Sequence, residues 1–223
     1  MTQHRRGRLI AIEGIDGCGK SSLAGAIFEI LDADHIPALL VSRTTVPELA
    51  GGYSGSHLRD LARLIWDYPK DAHTSTLGFW HWSKLLGAWF SALDYALVQP
   101  ALARGQIVIA DSWFYKYAAR FSVEIGLAEA LDCFAEIASP DRVAWLDIPP
   151  EICARRRSSL RTTERGEWTG HSDGVESFIN YQRRVRGQFA LLAAARDWYT
   201  TSSPDISAVI AQRMYSELIL DAD

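Results

Sequence analysis

Apolar positions along this chain fall into two alternating rhythms. Leu9-Ile10-Ala11-Ile12 is a continuous apolar run of buried-strand type, and behind it Leu23, Ile27, Ile30 and Leu31 recur at the spacing of one helix face. Pro37–Ser42 predicts a second strand. A loop with Pro47 and Gly51-Gly52 follows, then a helix around Leu58–Trp66 and a break from Pro69 to Thr76. Leu77 to about Ala103 predicts one long apolar helical stretch, kinked near Pro100, whose ring removes a backbone donor. Gln106–Asp111 predicts a third strand ending in a carboxylate, with helices over Tyr115–Phe121 and Leu127–Ile137. Arg142–Ile148 predicts a fourth strand, closed by Pro149-Pro150, and a helix from Glu151 leads into an Arg-rich, Gly-containing segment through Gly174. Phe178–Ala195 predicts a further helix, Trp198–Thr201 a short fifth strand and Ile206–Leu220 a final helix. Strands alternating with helices are the pattern of a three-layer α/β fold, a parallel sheet of about five strands flanked by helices.

The 223 residues suit one α/β domain, 1–223, and are too few for two. A net charge of −4 argues against a binder of nucleic-acid polymers or of membrane surfaces, so any cluster of arginines needs a local explanation. The cysteines Cys18, Cys133 and Cys153 show no paired spacing and the six histidines no ligand spacing, which predicts a reducing compartment without disulfides or a structural metal. The basic start MTQHRRGR runs directly into the first strand without a signal-type apolar segment, so cytoplasm is the expected location. Leu85–Val98, the most apolar later stretch, is interrupted by Ser91 and Asp94 and is too short to span a bilayer.

The chemistry concentrates where the first strand breaks into Gly14-Ile15-Asp16-Gly17-Cys18-Gly19-Lys20-Ser21-Ser22, which fits G-x-x-x-x-G-K-[ST]. Glycines let the backbone curl into a nest of inward N–H groups for phosphate oxygens. Lys20 supplies a point charge to the terminal phosphates, and the Ser21 hydroxyl is a Mg²⁺ ligand. A helix starting near Lys20 aims its positive end at the same anion. The segment predicts a bound nucleoside triphosphate.

Three further features each carry two readings. Asp111, closing the third strand, is either a second Mg²⁺ ligand beside the phosphates or a helix cap. Arg155, Arg156, Arg157, Arg161 and Arg165 place five guanidinium groups in eleven residues, either a solvated face or a lid whose cations neutralise the moving phosphoryl group. Trp66, Trp80, Trp82, Trp89 and Trp113, among eight tryptophans, are either core or the walls of a flat acceptor pocket.

In five ordered segments the chain resembles the thymidylate kinase family. Glu13-Gly14-Ile15-Asp16-Gly17-Cys18-Gly19-Lys20-Ser21 is similar to E-G-x-D-G-x-G-K-[ST], and Ser42-Arg43 to the T-R-E-P turn. Pro100–Gly105 leading to Asp111 resembles P-A-L-x-x-G-x-x-V-x-x-D. Leu146–Glu151 with Arg156 resembles L-D-V-P-P-E and its arginine, and Glu176-Ser177-Phe178 with Arg184-Val185-Arg186 and Phe189 the helix after the lid. The resemblance implies a P-loop kinase fold with an Arg-rich lid at about 155–174, ATP and Mg²⁺ as cofactors, a nucleoside monophosphate as acceptor and a homodimer, for which the apolar Leu85–Val98 face is suited. It implies that Gly14–Ser22 with Arg156 hold ATP, that Lys20, Asp16, Arg161 and Arg165 serve transfer, and that Asp16 and Arg43 orient the acceptor.

The departures lie on the acceptor side. D-R-Y is here Asp111-Ser112-Trp113, so an arginine for the acceptor phosphate is missing, and Lys116 or Arg120 on the following helix is the expected substitute. Thr44-Thr45 replaces E-P, and no arginine stands on the long helix where the family faces one to the base. Asp111 and Trp113 complete the expected acceptor site. The leading expectation is dTMP + ATP giving dTDP + ADP. The alternatives are a P-loop kinase for a nucleoside or other small molecule, with Glu13, Asp16 or Asp111 as base, and a non-catalytic nucleotide-binding protein. Against the last, no N-K-x-D guanine motif is present.

Overall fold

The computed structural model describes residues 6–69, 72–166, 174–205 and 208–220. Its centre is β1 (Leu9–Gly14), six buried residues that are apolar or small except for Glu13, as a strand covered on both faces requires. β1 runs parallel to β3 (Ile107–Asp111) with Leu9 opposite Val108, and to β4 (Arg142–Leu146) with Ile10 opposite Arg142. β2 (Ala38–Val41) pairs outside β3 and β5 (Tyr199–Thr201) outside β4, so five parallel strands stand in the order β2-β3-β1-β4-β5. All five lie where the sequence predicts them, β1 running two residues past Ile12 and the other four trimmed by one or two residues in total. The chain leaves β1 toward β2 but leaves β3 toward β4, and right-handed crossovers then set helices on both faces. The switch in direction falls between β1 and β3, and the crevice outside their carboxyl ends is where such sheets bind ligands.

α1 (Lys20–Ala33) packs its Leu23, Ile27 and Leu31 face on the sheet and also meets the late helix α10 (Ala208–Tyr215). Between β2 and β3 come α2 (Val46–Leu49), α3 (Gly52–Trp66) and α4 (Phe79–Leu93). α3 starts six residues ahead of the expected Leu58 because its first turns are polar and carry no apolar rhythm. The expected single helix to Ala103 is three pieces: α4, a widened π-turn over Asp94–Val98, and α5 (Gln99–Ala103). The widening sits just before Pro100, which has no N–H to give, and the Asp94 carboxylate accepts bonds from Gln99 Nε2 (2.8 Å) and the Ala138 amide (3.3 Å) there.

α6 (Tyr115–Ile125) and α7 (Leu127–Asp132) lead to β4, the second ending at Asp132 rather than Ile137. α8 (Pro150–Arg155) and the long α9 (Val175–Arg196) lead to β5, and α6 packs on α9. Residues 206 and 207 of the expected last helix, and 167–173 of the expected lid, lie outside the described residues. Among the described residues no helix is long and apolar enough to cross a membrane. The apolar stripe of Leu85–Val98 is largely consumed inside the chain, with Leu86, Trp89, Phe90, Leu93 and Val98 buried; Tyr95, on the widened turn, is left exposed.

Candidate active site

A cavity of about 1160 Å³ opens at the carboxyl ends of β1, β2 and β3, reaching the phosphate loop, the α3–α4 wall and α6. The loop after β1 needs its glycines. Gly14 has φ 147°, and a Cβ there would lie 2.7 Å from Cys18 Sγ and 2.8 Å from the Leu146 carbonyl. Gly19, at φ 109°, starts α1 without a side-chain cap, so the first-turn amides are left for an anion. Lys20 is buried and its Nζ donates to the carbonyls of Gly14 (2.9 Å) and Ile15 (2.8 Å), 3.8 Å from Cys18 Sγ. Ile15 and Cys18 are buried behind the loop, so they shape it through their backbone. Gly17, Gly19, Lys20, Ser21 and Ser22 line the cavity. Arg156 closes one side, donating to the Cys18 carbonyl (3.1 Å), the Gly17 carbonyl (3.4 Å) and Pro204.

Asp111 faces the same cavity from the end of β3. Ser21 and Asp111 offer one hydroxyl and one carboxylate, hard oxygen donors of the kind Mg²⁺ takes when phosphates and waters fill its remaining positions. Among the described residues no cluster of three or more His, Cys, Asp or Glu side chains is built to hold a metal alone. A metal carried in with the triphosphate fits this donor set.

On the α6 side, Asp16 is the hub. Lys116 Nζ lies 2.6 Å from its Oδ1 and Arg120 Nη1 3.9 Å from its Oδ2. Burial alone would raise the Asp16 carboxyl, but Lys116, Arg120 and Lys20 together hold it well below the usual carboxylate range. Burial likewise works against the Lys116 ammonium, and Asp16 more than compensates, so its pKa is raised. Both cations line the cavity, one helical turn apart on α6. Arg43, exposed after β2, lies over the Trp66 ring at 5.9 Å and lines it too.

The described part of the expected lid is fastened down. Arg161 Nη1 donates to the Trp66 carbonyl (2.9 Å) and its guanidinium lies 5.3 Å from the Tyr68 ring. Thr162 Oγ1 donates to the Ala72 carbonyl (2.9 Å), and Arg120 donates to the Thr163 carbonyl. Arg157 grips both oxygens of the buried Glu164 at 2.6 and 2.7 Å. Of the two arginines expected to serve transfer, Arg161 lines the cavity; Arg165, half-buried, does not. Arg157, one of the five clustered arginines but given no role of its own, does.

Trp113 is a correction. Its side chain has no exposed surface, its Nε1 donates to the Ala138 carbonyl (2.9 Å) and its ring packs on Phe90. The turn after β3 directs it into the core, so it is not an acceptor-binding side chain. The tryptophans divide: Trp66, Trp82 and Trp89 wall the cavity, Trp113 is core, and Trp80 is exposed. The Trp113 amide is instead used structurally, donating to Glu13 Oε1 (2.9 Å), while Ser112 Oγ, on a residue at φ 69°, donates to Oε2 (3.2 Å). Burial pushes Glu13 up to about 8, against the opposing pull of the Trp113 amide, Lys20, Ser112 and Lys116. Glu13 does not line the cavity, though Ser112 does.

Sequence reasoning missed Gln182 altogether. It is fully buried on α9 among Phe178, Tyr181, Val185 and Phe189, and a polar residue on that apolar stripe was the available signal.

No family model matches the chain. It is similar over most of its length to curated proteins named thymidylate kinase. The one from Xanthomonas euvesicatoria pv. vesicatoria (strain 85-10) is 31% identical over 207 residues, covering 92% of this chain and 81% of the relative. The one from Synechococcus sp. (strain CC9311) is 30% identical over 227 residues and 97% of each chain, and the one from Francisella philomiragia 26% identical over 219 residues, 95% and 97%.

Proposed function

The chain belongs to the thymidylate kinase family and is a nucleotide kinase, and from that premise we propose that it converts dTMP and ATP to dTDP and ADP. The observation that carries the acceptor assignment is the pair Lys116 and Arg120 around Asp16: two cations share one carboxylate, and the surplus positive charge faces the cavity. A phosphorylated acceptor answers that surplus; an uncharged nucleoside does not. The aromatic wall of Trp66, Trp82 and Trp89 suits the flat face of a base.

In this reading residues 1–223 form one kinase domain with residues 155–174 as its lid. The triphosphate lies on Gly14–Ser22, with Arg156 beside the loop, and Ser21 and Asp111 would hold a Mg²⁺ ion, which would supply neutralisation of the phosphate charge there. Lys116, Arg120 and Arg43 seat the acceptor phosphate, and Asp16 orients the two cations. A phosphate oxygen of dTMP then attacks the γ-phosphorus, the bond from that phosphorus to the β–γ bridging oxygen breaks, and ADP departs with those electrons. Lys20 and Arg161 stabilise the charge on the moving group. An acceptor phosphate is already ionised, so no protein base is needed. A hydroxyl acceptor would need one: Glu13 is sealed behind Ser112 and the cations hold Asp16 too low to take up a proton, which leaves only Asp111 of the three candidates, the residue assigned here to Mg²⁺.

The test is a coupled ADP-release assay with dTMP and thymidine side by side. The wild type is expected to use dTMP and not thymidine. Lys116→Ala and Arg120→Ala should each lower kcat/KM for dTMP by about ten- to a thousandfold, the loss of one or two charge-assisted hydrogen bonds. Preference for thymidine, or dTMP turnover indifferent to both substitutions, overturns the proposal.

A further inference from the structure

Gln182 bridges the phosphate loop and the lid segment through three hydrogen bonds. Its Oε1 accepts the Asp16 backbone N–H (3.3 Å), and its Nε2 donates to Asp16 Oδ2 (3.4 Å) and to the Glu164 carbonyl (2.9 Å). Glu164 in turn holds Arg157, whose side-chain carbons lie over Gly17, the residue after Asp16; a Cβ on Gly17 would stand 3.2 Å from Arg157 Cδ. The chain of contacts therefore closes on itself: Asp16, Gln182, Glu164, Arg157, Gly17. One of its members is the carboxylate that orients Lys116 and Arg120, and two belong to the lid segment. A buried amide is costly unless every polar atom is paired, and this one is paired only while both the phosphate loop and the lid segment hold their positions.

We propose that Gln182 is a positioning residue for phosphoryl transfer, fixing the Asp16 carboxylate against the acceptor cations only when the lid residue Glu164 is seated. This rests on the assignment of Asp16, Lys116 and Arg120 to the acceptor. It gives the site a route by which lid closure over the donor is felt at the acceptor: when Glu164 moves off, Nε2 loses one of its two partners and Asp16 its fixed orientation.

Two variants test this. Gln182→Met keeps the volume and removes the hydrogen bonds. It should lower kcat/KM for dTMP by about ten- to a hundredfold, the scale of a misplacement near 1 Å, and leave the KM for ATP within about twofold. Gln182→Glu keeps the acceptor for the Asp16 amide but sets a second carboxylate beside the first. Around them stand Lys20 from α1, Lys116 and Arg120 from α6, Tyr181 from α9, and Arg157 and Glu164 from the lid segment. Two buried carboxyls this close share a proton, so at low pH the introduced carboxyl is protonated and donates to Asp16 as Nε2 did. Its kcat/KM relative to wild type should rise at least about tenfold from pH 8 to pH 6. A Met variant with wild-type kinetics overturns the proposal, as does a Glu variant equally impaired at every pH, which is the mark of a merely structural role. Where the Met variant does not fold, the Glu profile decides alone. A wild type that phosphorylates no monophosphate overturns the assignment of the acceptor and this inference with it, whereas normal dTMP turnover with indifferent variants overturns only the inference.

Discussion

Glu13→Gln should change how stability depends on pH, and the size of the change follows from burial. The carboxyl is fully enclosed and its pKa is raised from 4.5 to about 8. A group raised in the folded state contributes stability that is complete below the unfolded value and is lost as pH rises through the folded one. The window is therefore pH 4.5 to 8, over which the folded state binds a proton that the unfolded state has released. At about 1.4 kcal/mol per pH unit for one proton, the wild type should lose about 5 kcal/mol across that window. Glutamine reproduces both contacts, its oxygen accepting from the Trp113 amide and its NH₂ donating to Ser112 Oγ, and carries no charge at any pH. The assay is urea unfolding at half-unit steps from pH 5 to 8.5, with the slopes against urea checked for constancy. The two proteins should be nearly equal at pH 5, and the variant should gain steadily to become the more stable by several kcal/mol at pH 8. Parallel stability curves would refute the reasoning, because they would mean that Glu13 is ionised in the fold throughout.

Lys20→Ala should lower turnover by about a hundred- to a thousandfold, the cost of one preorganised donor at the transition state, in a variant that still folds; near-normal phosphoryl transfer removes Lys20 from the mechanism. Arg161→Ala should lower kcat at least tenfold while the KM for ATP holds, whereas Arg165→Ala, outside the cavity lining, should move kcat by less than about threefold. An Arg165 variant more damaging than the Arg161 variant would reverse the roles of the two side chains.

What the sequence made legible was periodic or carried by fixed spacing. The central strands β1, β3 and β4 are built on apolar runs, and a sheet covered on both faces demands such runs. The phosphate loop was legible because glycine, lysine and serine each do a job there that few residues can do. Lys116 and Arg120 were found by an absence, that of an arginine at Ser112. The failures at the site share a cause: they concern which way a side chain points. Trp113 follows a strand end in a cavity wall by sequence, yet a residue at positive φ just before it, Ser112, turns its ring inward. Arg161 and Arg165 are equivalent in composition and are separated only by the short helical turn Thr162–Glu164 between them. Gln182 bonds to partners 166 and 18 residues away, and no local pattern encodes such a contact.

The place of β1 in the sheet also bears on how the chain is made. Leu9–Gly14 is synthesised before both of its sheet neighbours, Val108 following about a hundred residues later and Arg142 later still. At roughly 5 to 20 residues per second, this apolar strand waits on the order of 5 to 20 s for its first partner. Pairings so distant in sequence also close slowly. During that interval the segment that will carry the phosphate loop is an unpaired hydrophobic edge open to any other chain. The loop on which turnover depends is therefore held in shape only after β3 and β4 have locked its strand between them.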